Sequence, residues 1–340
     1  MNYVVKKISE IDNNQLHIFY KDVFKDRCEV LLKNLKWYYR INYLNCEPIV
    51  LVLKNKVVGH LGLIPIKVKI RNNIIPATWY IDLVVHPEFQ GKGLGSILVK
   101  EGQKQSKIQI AICNEAALKV YKKFNWQINI STKRLARPIN PIKWVPFINN
   151  LNSKIFKNLY NFNLKKKLAN IKNIQPFNFD ENINKIFNSF SKRKIITSNS
   201  PEIIRDEEWL SWRLLEFPNR TNLKFFELND NYVIVHFIKS RNIRRLNIIM
   251  YYYLGVSEET KMYYSITKWA LENNFDLIWS CSTNQNLVDN LSEIFPKKFI
   301  KPITIASASL DKNIHQHLKE NFSNIEGIDS DTDSIFLEKD

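Results

Sequence analysis

The fold of this chain is constrained most strongly by residues 82–96. They begin with an apolar strand that ends at Pro87, and a helix is predicted from about Leu94. Between the two stands a Gln-x-x-Gly-x-Gly loop, residues 90–95. Glycines permit a tight turn and leave successive backbone N–H groups uncovered. With the N-terminus of the following helix, these groups predict a cradle for an anion such as a diphosphate.

The loop differs from two common phosphate-binding patterns. A Walker loop closes with Gly-Lys-Ser/Thr, and a dinucleotide fingerprint needs another glycine spacing. With its flanks, the segment instead resembles the coenzyme A motif of the GNAT acyltransferase superfamily, V-x-P-x-[FY]-[QR]-x-x-G-x-[GA]. Every defined position of that motif is matched, by Val85, Pro87, Phe89, Gln90, Gly93 and Gly95.

A second resemblance to the same family lies downstream, in residues 114–126. This segment is similar to the pattern N-x-x-A-x-x-x-Y-x-K-x-G-F, with its Asn, Ala, Tyr and Lys positions kept. Asn125 replaces the Gly and Trp126 replaces the Phe. Asn tolerates the left-handed backbone well, so the first replacement is mild.

The family resemblance implies roles for individual residues. The backbone N–H of Val85 is expected to polarise the thioester carbonyl, while Leu83 and Val84 pair with the pantetheine arm. Asn114 is expected to hydrogen-bond the pantetheine region, and Tyr121 to protonate the leaving thiolate. The predicted acyl-CoA-binding residues are Leu83, Val84, Val85, Gln90, Gly91, Lys92, Gly93, Leu94, Gly95, Ser96 and Asn114.

The candidates for a general base are Asp82, on the motif strand, and His60, on the strand before it. Each also has a structural interpretation, as a paired carboxylate and as a hydrogen-bonded core histidine. Water relays often serve in the family that the motifs resemble, so a dedicated protein base is not required. We expect no metal, because the four cysteines lack metal-ligand spacing.

The second half of the chain repeats the layout of the first. Residues 37–40 and 209–213 are Trp- and Arg-containing segments that each precede a predicted hairpin, and an apolar strand and a helix follow. We therefore predict an α/β (α+β) fold of tandem GNAT-like lobes, each a mixed, mostly antiparallel central sheet flanked by helices. Apolar spacing also predicts continuous helices over residues 29–40 and 153–172.

The expected boundaries run consecutively. They are a catalytic domain (1–137), a basic helical linker (138–173), a degenerate second lobe (174–310) and an acidic tail (311–340) that is expected in solvent. In the second lobe, residues 255–261 carry one glycine and two acids where a coenzyme loop would lie. The acids would repel a diphosphate, so the second lobe is expected to bind no coenzyme.

These features predict a cytoplasmic N-acetyltransferase that moves an acetyl group from acetyl-CoA to a primary amine of a small molecule. Acyl transfer to a hydroxyl is left open. The two-lobed layout, with Trp212, Arg213, Pro218 and the acidic residues 329–331, also resembles GNAT proteins of polysaccharide-biosynthesis loci. That resemblance suggests an amino sugar, free or nucleotide-linked, as the acceptor.

Two alternatives remain at this point. A Fem-type transferase that uses aminoacyl-tRNA fits the net charge of +17, although the intact coenzyme loop argues against it. A non-catalytic module that binds acyl-CoA or a membrane is the other. We expect no nucleic-acid partner, because charge is its only support. The linker lysines and aromatics suit an anionic membrane, but a helix packed on one lobe is preferred.

Overall fold

The computed structural model describes residues 2–141, 153–191, 200–240, 242–252, 255–320, 322 and 325–329. The chain forms two compact units. Unit 1 comprises Met1–Ser131, Ile196–Pro218 and Ile303–Ser323, and unit 2 comprises Thr132–Ile195, Asn219–Pro302 and Asn324–Asp340. Each unit is therefore assembled from separate stretches, whereas the boundaries predicted from sequence are consecutive.

The bounds of the described strands and helices are as follows. The strands are β1 (Val4–Lys7), β2 (Ile49–Leu53), β3 (Lys56–Ile70), β4 (Asn73–Val85), β5 (Ile108–Cys113), β6 (Gln127–Asn129), β7 (Lys133–Pro138), β8 (Phe177–Asn178), β9 (Glu202–Ile203), β10 (Leu223–Leu228), β11 (Asn231–Ser240), β12 (Ile243–Tyr252), β13 (Leu277–Ser282), β14 (Ile300–Pro302) and β15 (Thr304–Ala308). The helices are α1 (Asn13–Phe24), α2 (Cys28–Lys33), α3 (Leu35–Tyr38), α4 (Leu94–Gly102), α5 (Glu115–Lys122), α6 (Ser153–Tyr160), α7 (Phe162–Leu168), α8 (Ile183–Ser191), α9 (Glu207–Leu210), α10 (Val256–Glu272), α11 (Gln285–Leu291) and α12 (Lys312–His317).

Each unit is built on one sheet. The strand order in unit 1 is β1-β2-β3-β4-β5-β15-β6, with β9 paired to β3. The order in unit 2 is β14-β7-β13-β12-β11-β10-β8. Among the described strands, β4 and β5 pair in parallel in unit 1, β12 and β13 do so in unit 2, and the other pairs are antiparallel. This confirms the predicted fold of two GNAT-like lobes with mostly antiparallel sheets.

Two strands each belong to a different unit from the strand that precedes them in sequence. β7 follows β6 in the chain, yet it lies between β13 and β14 of unit 2. β15 follows β14, yet it lies between β5 and β6 of unit 1. This exchange accounts for the interleaved units. The alternation of side chains along a strand reveals its two faces but not which sheet it joins, so the sequence could not predict it.

Asn residues interrupt both helices that were predicted as continuous. The first breaks at Asn34, whose Nδ2 donates to the carbonyl oxygen of Val30 at 2.9 Å. The second breaks at Asn161, whose Nδ2 donates to the carbonyl oxygens of Ile139 and Lys157, each at 2.8 Å. The predictions over 29–40 and 153–172 were therefore wrong in continuity, because Asn side chains compete for backbone partners.

The core of unit 1 fixes α4 against the sheet. Leu94, Leu98 and Val99 of α4 are buried among apolar side chains of β2, β3 and β5. Each fully buried Leu contributes on the order of 2 kcal/mol relative to an exposed one. The N-terminus of α4, where the glycine loop ends, is therefore firmly placed.

Part of the acidic tail is buried. Ile325 and Ile328 are 1% and 0% exposed. The N–H of Ile328 donates to the carbonyl oxygen of Ile249 at 3.0 Å, and Glu326 Oε2 accepts from the N–H of Tyr251 at 3.3 Å. The prediction of a solvated tail was wrong for residues 325–329, while residues 330–340 lie outside the described part. Within the described residues, no helix has both the length and the apolar character needed to span a bilayer.

Candidate functional site

The glycine loop holds its backbone open at the start of α4. Gly91 and Gly93 have φ angles of 76° and 79°, in the left-handed region that L side chains rarely adopt. A Cβ built on either glycine would meet no atom within 4 Å. Among the described residues, no protein acceptor is found for the backbone N–H groups of residues 91–95. These donors and the positive end of α4 make an anion cradle.

A cavity of about 390 Å³ opens beside the cradle. It is lined by every residue predicted to bind acyl-CoA except Lys92. Lys92 Nζ instead donates to the carbonyl oxygen of Glu88 at 3.0 Å and lies 4.9 Å from the centre of the Phe89 ring. Sequence reasoning missed Lys123, which also lines the cavity. Its place at the Lys position of the downstream motif was the available signal.

The cavity lies where β4 and β5 separate. Their described parallel pairing ends with Tyr80 opposite Ala111. β4 continues to Val85, and its last residues line the cavity. An unpaired strand edge offers N–H and C=O groups that an extended molecule can pair with as an added strand.

The N–H of Val85 points from β4 toward this cavity. On the opposite edge, His86 donates its N–H to the carbonyl oxygen of Val58 on β3 at 3.0 Å. Because backbone groups alternate between the two edges of a strand, those of Val85 face away from β3. The side chain of Gln90 agrees with this, since its Nε2 donates to the carbonyl oxygen of Val85 at 3.0 Å.

A β-bulge precedes Val85. The pairing of β3 and β4 shifts register between His60 and Gly62, so that Asp82 and Leu83 stand opposite the single residue Leu61. Asp82 has a φ of 50°, a left-handed conformation that Asp tolerates better than most residues. The bulge therefore sets the direction in which the last residues of β4 approach the cavity.

Two side chains hold Asp82 at the bulge. Arg27 Nη2 donates to Oδ1 of Asp82 at 3.0 Å, and the Tyr39 hydroxyl donates to Oδ2 at 3.0 Å. The Asp82 side chain is 5% exposed and that of Arg27 is 32% exposed. Both carboxylate oxygens are thus engaged, and the contacts favour an anchoring role over that of a free base.

His60 continues this network inside the core. Its Nδ1 lies 3.2 Å from the carbonyl oxygen of Asp82, and its Nε2 lies 3.0 Å from the Tyr20 hydroxyl. A carbonyl only accepts, so Nδ1 carries the proton and Nε2 accepts from Tyr20. Burial lowers the pKa of His60 from 6.5 to about 4, which keeps the ring neutral. Its lone pair is therefore already used within the protein.

Tyr121 lies in the core of unit 1. Its side chain is 2% exposed, and its ring stacks on Trp126 with centroids 4.3 Å apart. Val120 and Lys123 line the cavity, but Tyr121 does not. Burial raises the pKa of Tyr121 well above its usual value, so the hydroxyl keeps its proton. Tyr121 is thus a protonated phenol next in sequence to a residue that lines the cavity. Its catalytic role stays a prediction.

The corresponding helix of unit 2 begins with acids. Gly255 caps α10, and Glu258 and Glu259 occupy its first turn. Carboxylates at this position would oppose a diphosphate. The expectation that this unit binds no coenzyme stays a prediction.

Among the described residues, the cluster His17, Cys28 and Glu29 could hold a metal ion, since its ligand atoms lie within 4.8 Å of one another. His17 Nε2 is 3.0 Å from Glu29 Oε1, a contact that explains their proximity without a metal. Burial raises the pKa of the Cys28 thiol, which disfavours the thiolate needed for coordination. This cluster lies outside the cavity lining, and we assign it no role.

The loop and the strand before it lie in a part of the chain that matches a known protein family. The profile of the acetyltransferase (GNAT) family matches residues 13–126. This region is a GNAT domain. A comparison with curated protein sequences finds no match.

Solved structures extend the likeness in fold over most of the chain. A probable N-acyltransferase from Enterococcus faecalis has a TM-score of 0.57 and 11% identity, over 94% of this chain and 74% of that chain. A GCN5-related N-acetyltransferase from Kribbella flavida has a TM-score of 0.60 and 10% identity, over 91% and 72%. The N-myristoyltransferase of Saccharomyces cerevisiae, solved with myristoyl-CoA, has a TM-score of 0.54 and 13% identity, over 90% and 77%. At these identities the likeness shows the fold.

Proposed function

We propose that this GNAT protein transfers an acyl group, acetyl in the first instance, from acyl-CoA to a primary amine of a small molecule. Amino sugars, free or nucleotide-linked, are the first acceptors to test. The observation that carries the proposal is the open glycine cradle at α4, which shares one cavity with the free edge of β4. The cradle suits a diphosphate, and the strand edge suits an extended acylated arm.

Acyl-CoA supplies an activated acyl thioester when bound, and different residues around the cavity would bind its different parts. The N–H groups of residues 91–95 hold the diphosphate, and Lys123 adds positive charge at the wall. The backbone groups of Leu83, on the same edge of β4 as those of Val85, pair with the arm, and Val84 lines the cavity beside them. Asn114 Oδ1 accepts from the N–H of Ala117 at 2.9 Å, so its Nδ2 is the donor that we assign to the arm.

The backbone N–H of Val85 is the proposed hydrogen-bond donor to the thioester. This N–H points toward the cavity and would donate to the thioester carbonyl oxygen as negative charge develops there. Asp82 and His60 act by holding the bulge that aims Val85, and the amine loses its proton through water. Tyr121 remains the proposed proton donor to the thiolate, because it holds the Tyr position of the downstream motif, between the cavity-lining residues Val120 and Lys123.

The test has two stages. Isothermal titration calorimetry with acetyl-CoA and with longer acyl-CoA esters measures binding, and a thiol-release assay over a panel of amines and alcohols then measures transfer. We expect acyl-CoA binding and thiol release that depends on a primary amine. Binding with no release over the panel would favour a sensor, and failure to bind any acyl-CoA would remove the proposal. Transfer from aminoacyl-tRNA without acyl-CoA binding would favour the Fem-type alternative.

A further inference from the structure

Helix α6 of unit 2 exposes an apolar face. Ile155 and Leu159 lie one helical turn apart on α6 and are 57% and 70% exposed, and Phe162, the first residue of α7, is 65% exposed. Phe156, beside them, is 38% exposed. The predicted linker helix packs on unit 2 through Leu164 and Leu168 of α7, whereas α6 leaves its own apolar side chains exposed. Contiguous exposed apolar side chains commonly mark an interaction surface.

The helix that follows α6 is anchored in the core of unit 2. Leu164 and Leu168 of α7 are 4% and 1% exposed and belong to the core of unit 2. Asn161, between the two helices, is fully buried and accepts from Arg137 Nη2 at 3.3 Å. The Ile155–Phe162 face thus points outward from an anchored pair of helices.

The sequence segment that contains α6 and α7 carries basic residues but no acidic ones. Between Glu115 and Asp180 there are thirteen Lys and Arg residues and no acid. Lys165, Lys166 and Lys167 are exposed on α7, where Lys167 Nζ also lies 3.2 Å from Glu293 Oε2. A cavity of about 590 Å³ beside α7 is lined by Lys157, Lys165 and Lys268, together with the single acid Glu272. This is charge complementary to phosphate groups.

We propose that α6 and α7 dock the protein on a membrane surface rich in anionic phospholipid. Ile155, Leu159 and Phe162 enter the headgroup–acyl boundary, and the lysines contact lipid phosphates. Each feature alone is common, but an interfacial helix requires both an outward apolar stripe and flanking positive charge. Aliphatic side chains contribute little to nucleic-acid binding, so the lipid surface fits the combination better. This inference does not depend on the proposed acyl transfer.

The test is co-sedimentation of the full chain with vesicles of phosphatidylcholine alone or mixed with phosphatidylglycerol. We expect binding to the mixed vesicles only, weakened by salt. Each lysine near an anionic surface contributes about fivefold, so the triple change Lys165→Glu, Lys166→Glu, Lys167→Glu weakens binding on the order of a hundredfold. The matched control Lys297→Glu, Lys298→Glu, Lys301→Glu makes the same charge change at exposed positions and has a much smaller effect.

A second pair of variants isolates the apolar face. Leu159→Glu should abolish vesicle binding, whereas Leu310→Glu, at a residue that is 68% exposed in unit 1, should not. Circular dichroism establishes that both variants fold. Equal binding of all variants to the mixed vesicles would overturn the proposal. So would preference for an RNA homopolymer over vesicles, or a change of Leu159→Glu confined to self-association in analytical ultracentrifugation.

Discussion

Trp37 and Trp212 exchange hydrogen bonds: Nε1 of Trp37 lies 2.9 Å from the carbonyl oxygen of Trp212, and Nε1 of Trp212 lies 2.8 Å from that of Trp37. Both belong to unit 1. They come from residues 37–40 and 209–213, the two Trp- and Arg-containing segments that hold equivalent positions in the repeated sequence layout. A reciprocal contact, in which each partner makes the same bond to the other, is what two equivalent segments form when they meet.

This exchange predicts coupled losses of stability. Trp37→Phe and Trp212→Phe each remove one indole donor and leave a carbonyl without it, which should lower the free energy of unfolding by about 1 to 3 kcal/mol. The double variant should cost less than the sum, because the two bonds support one geometry. Urea unfolding followed by fluorescence measures all three. Strict additivity would show that the two bonds act independently.

The anchoring of Asp82 predicts a selective loss of turnover. Asp82→Asn keeps tolerance of the left-handed backbone but loses the charge that pairs with Arg27. Misaiming Val85 by about 1 Å should lower kcat on the order of a hundredfold, while the Kd for acyl-CoA changes little. Asp82→Ala should be worse, because Ala is strained at a φ of 50°.

The pH profile separates anchoring from base catalysis. If Asp82 holds the bulge, the residual activity of Asp82→Asn keeps the wild-type dependence on pH. If Asp82 is the base, the limb of the profile that belongs to it disappears. Arg27→Gln serves as the matched variant: it leaves the carboxylate present and should lower kcat in the same manner.

His60 predicts a pH-dependent stability. Burial lowers its pKa from 6.5 to about 4, so the folded state favours the neutral ring. The corresponding stability is fully present above pH 6.5 and is lost as pH falls toward 4, where the unfolded chain alone takes up the proton. The full effect is about 3 kcal/mol. His60→Gln should show a shallower loss between these pH values in denaturant titrations, and an unchanged slope would contradict the assignment.

The cradle was predictable from sequence because its chemistry is local. Gly91 and Gly93 adopt the positive φ angles that their motif positions suggest, and the helix starts at Leu94 as predicted. The strand before the loop and the parallel pairing of β4 with β5 were likewise implied by the order of elements along the chain.

The surroundings of Asp82 were not predictable, because its partners are distant in sequence. Arg27 comes from the turn after α1, and Tyr39 from the segment after α3. Neither stands at a spacing that marks a contact with β4. The bulge itself, which turns Asp82 into an anchored residue, appears only once β3 and β4 are in register. The sequence therefore left Asp82 open as a base or as a paired carboxylate, and its contacts in the structure favour the second.

The two glycines of the loop should differ in their tolerance of Ala. Gly93 has a φ of 79°, so Gly93→Ala costs about 1 to 2 kcal/mol in the conformation that presents the N–H groups, and acyl-CoA should bind roughly 5- to 30-fold more weakly. Gly95 lies in α4, and a Cβ there would be 3.7 Å from Val120, an ordinary contact. Gly95→Ala is thus the matched control and should bind acyl-CoA nearly as the wild type does. Calorimetry distinguishes them, and equal affinities would mean that the loop does not hold the diphosphate.

Tyr121→Phe tests whether a core residue also acts in the chemistry. The substitution keeps the ring that stacks on Trp126 and removes only the hydroxyl, so unfolding and acyl-CoA affinity should hardly change. If the hydroxyl protonates the thiolate, kcat should fall about a hundredfold or more, and acyl donors with a more acidic thiol leaving group should lose less. Because burial raises the pKa of Tyr121, no alkaline limb from this residue is expected near neutral pH. Full turnover in the variant would leave Tyr121 with a packing role alone, in keeping with its place outside the cavity lining.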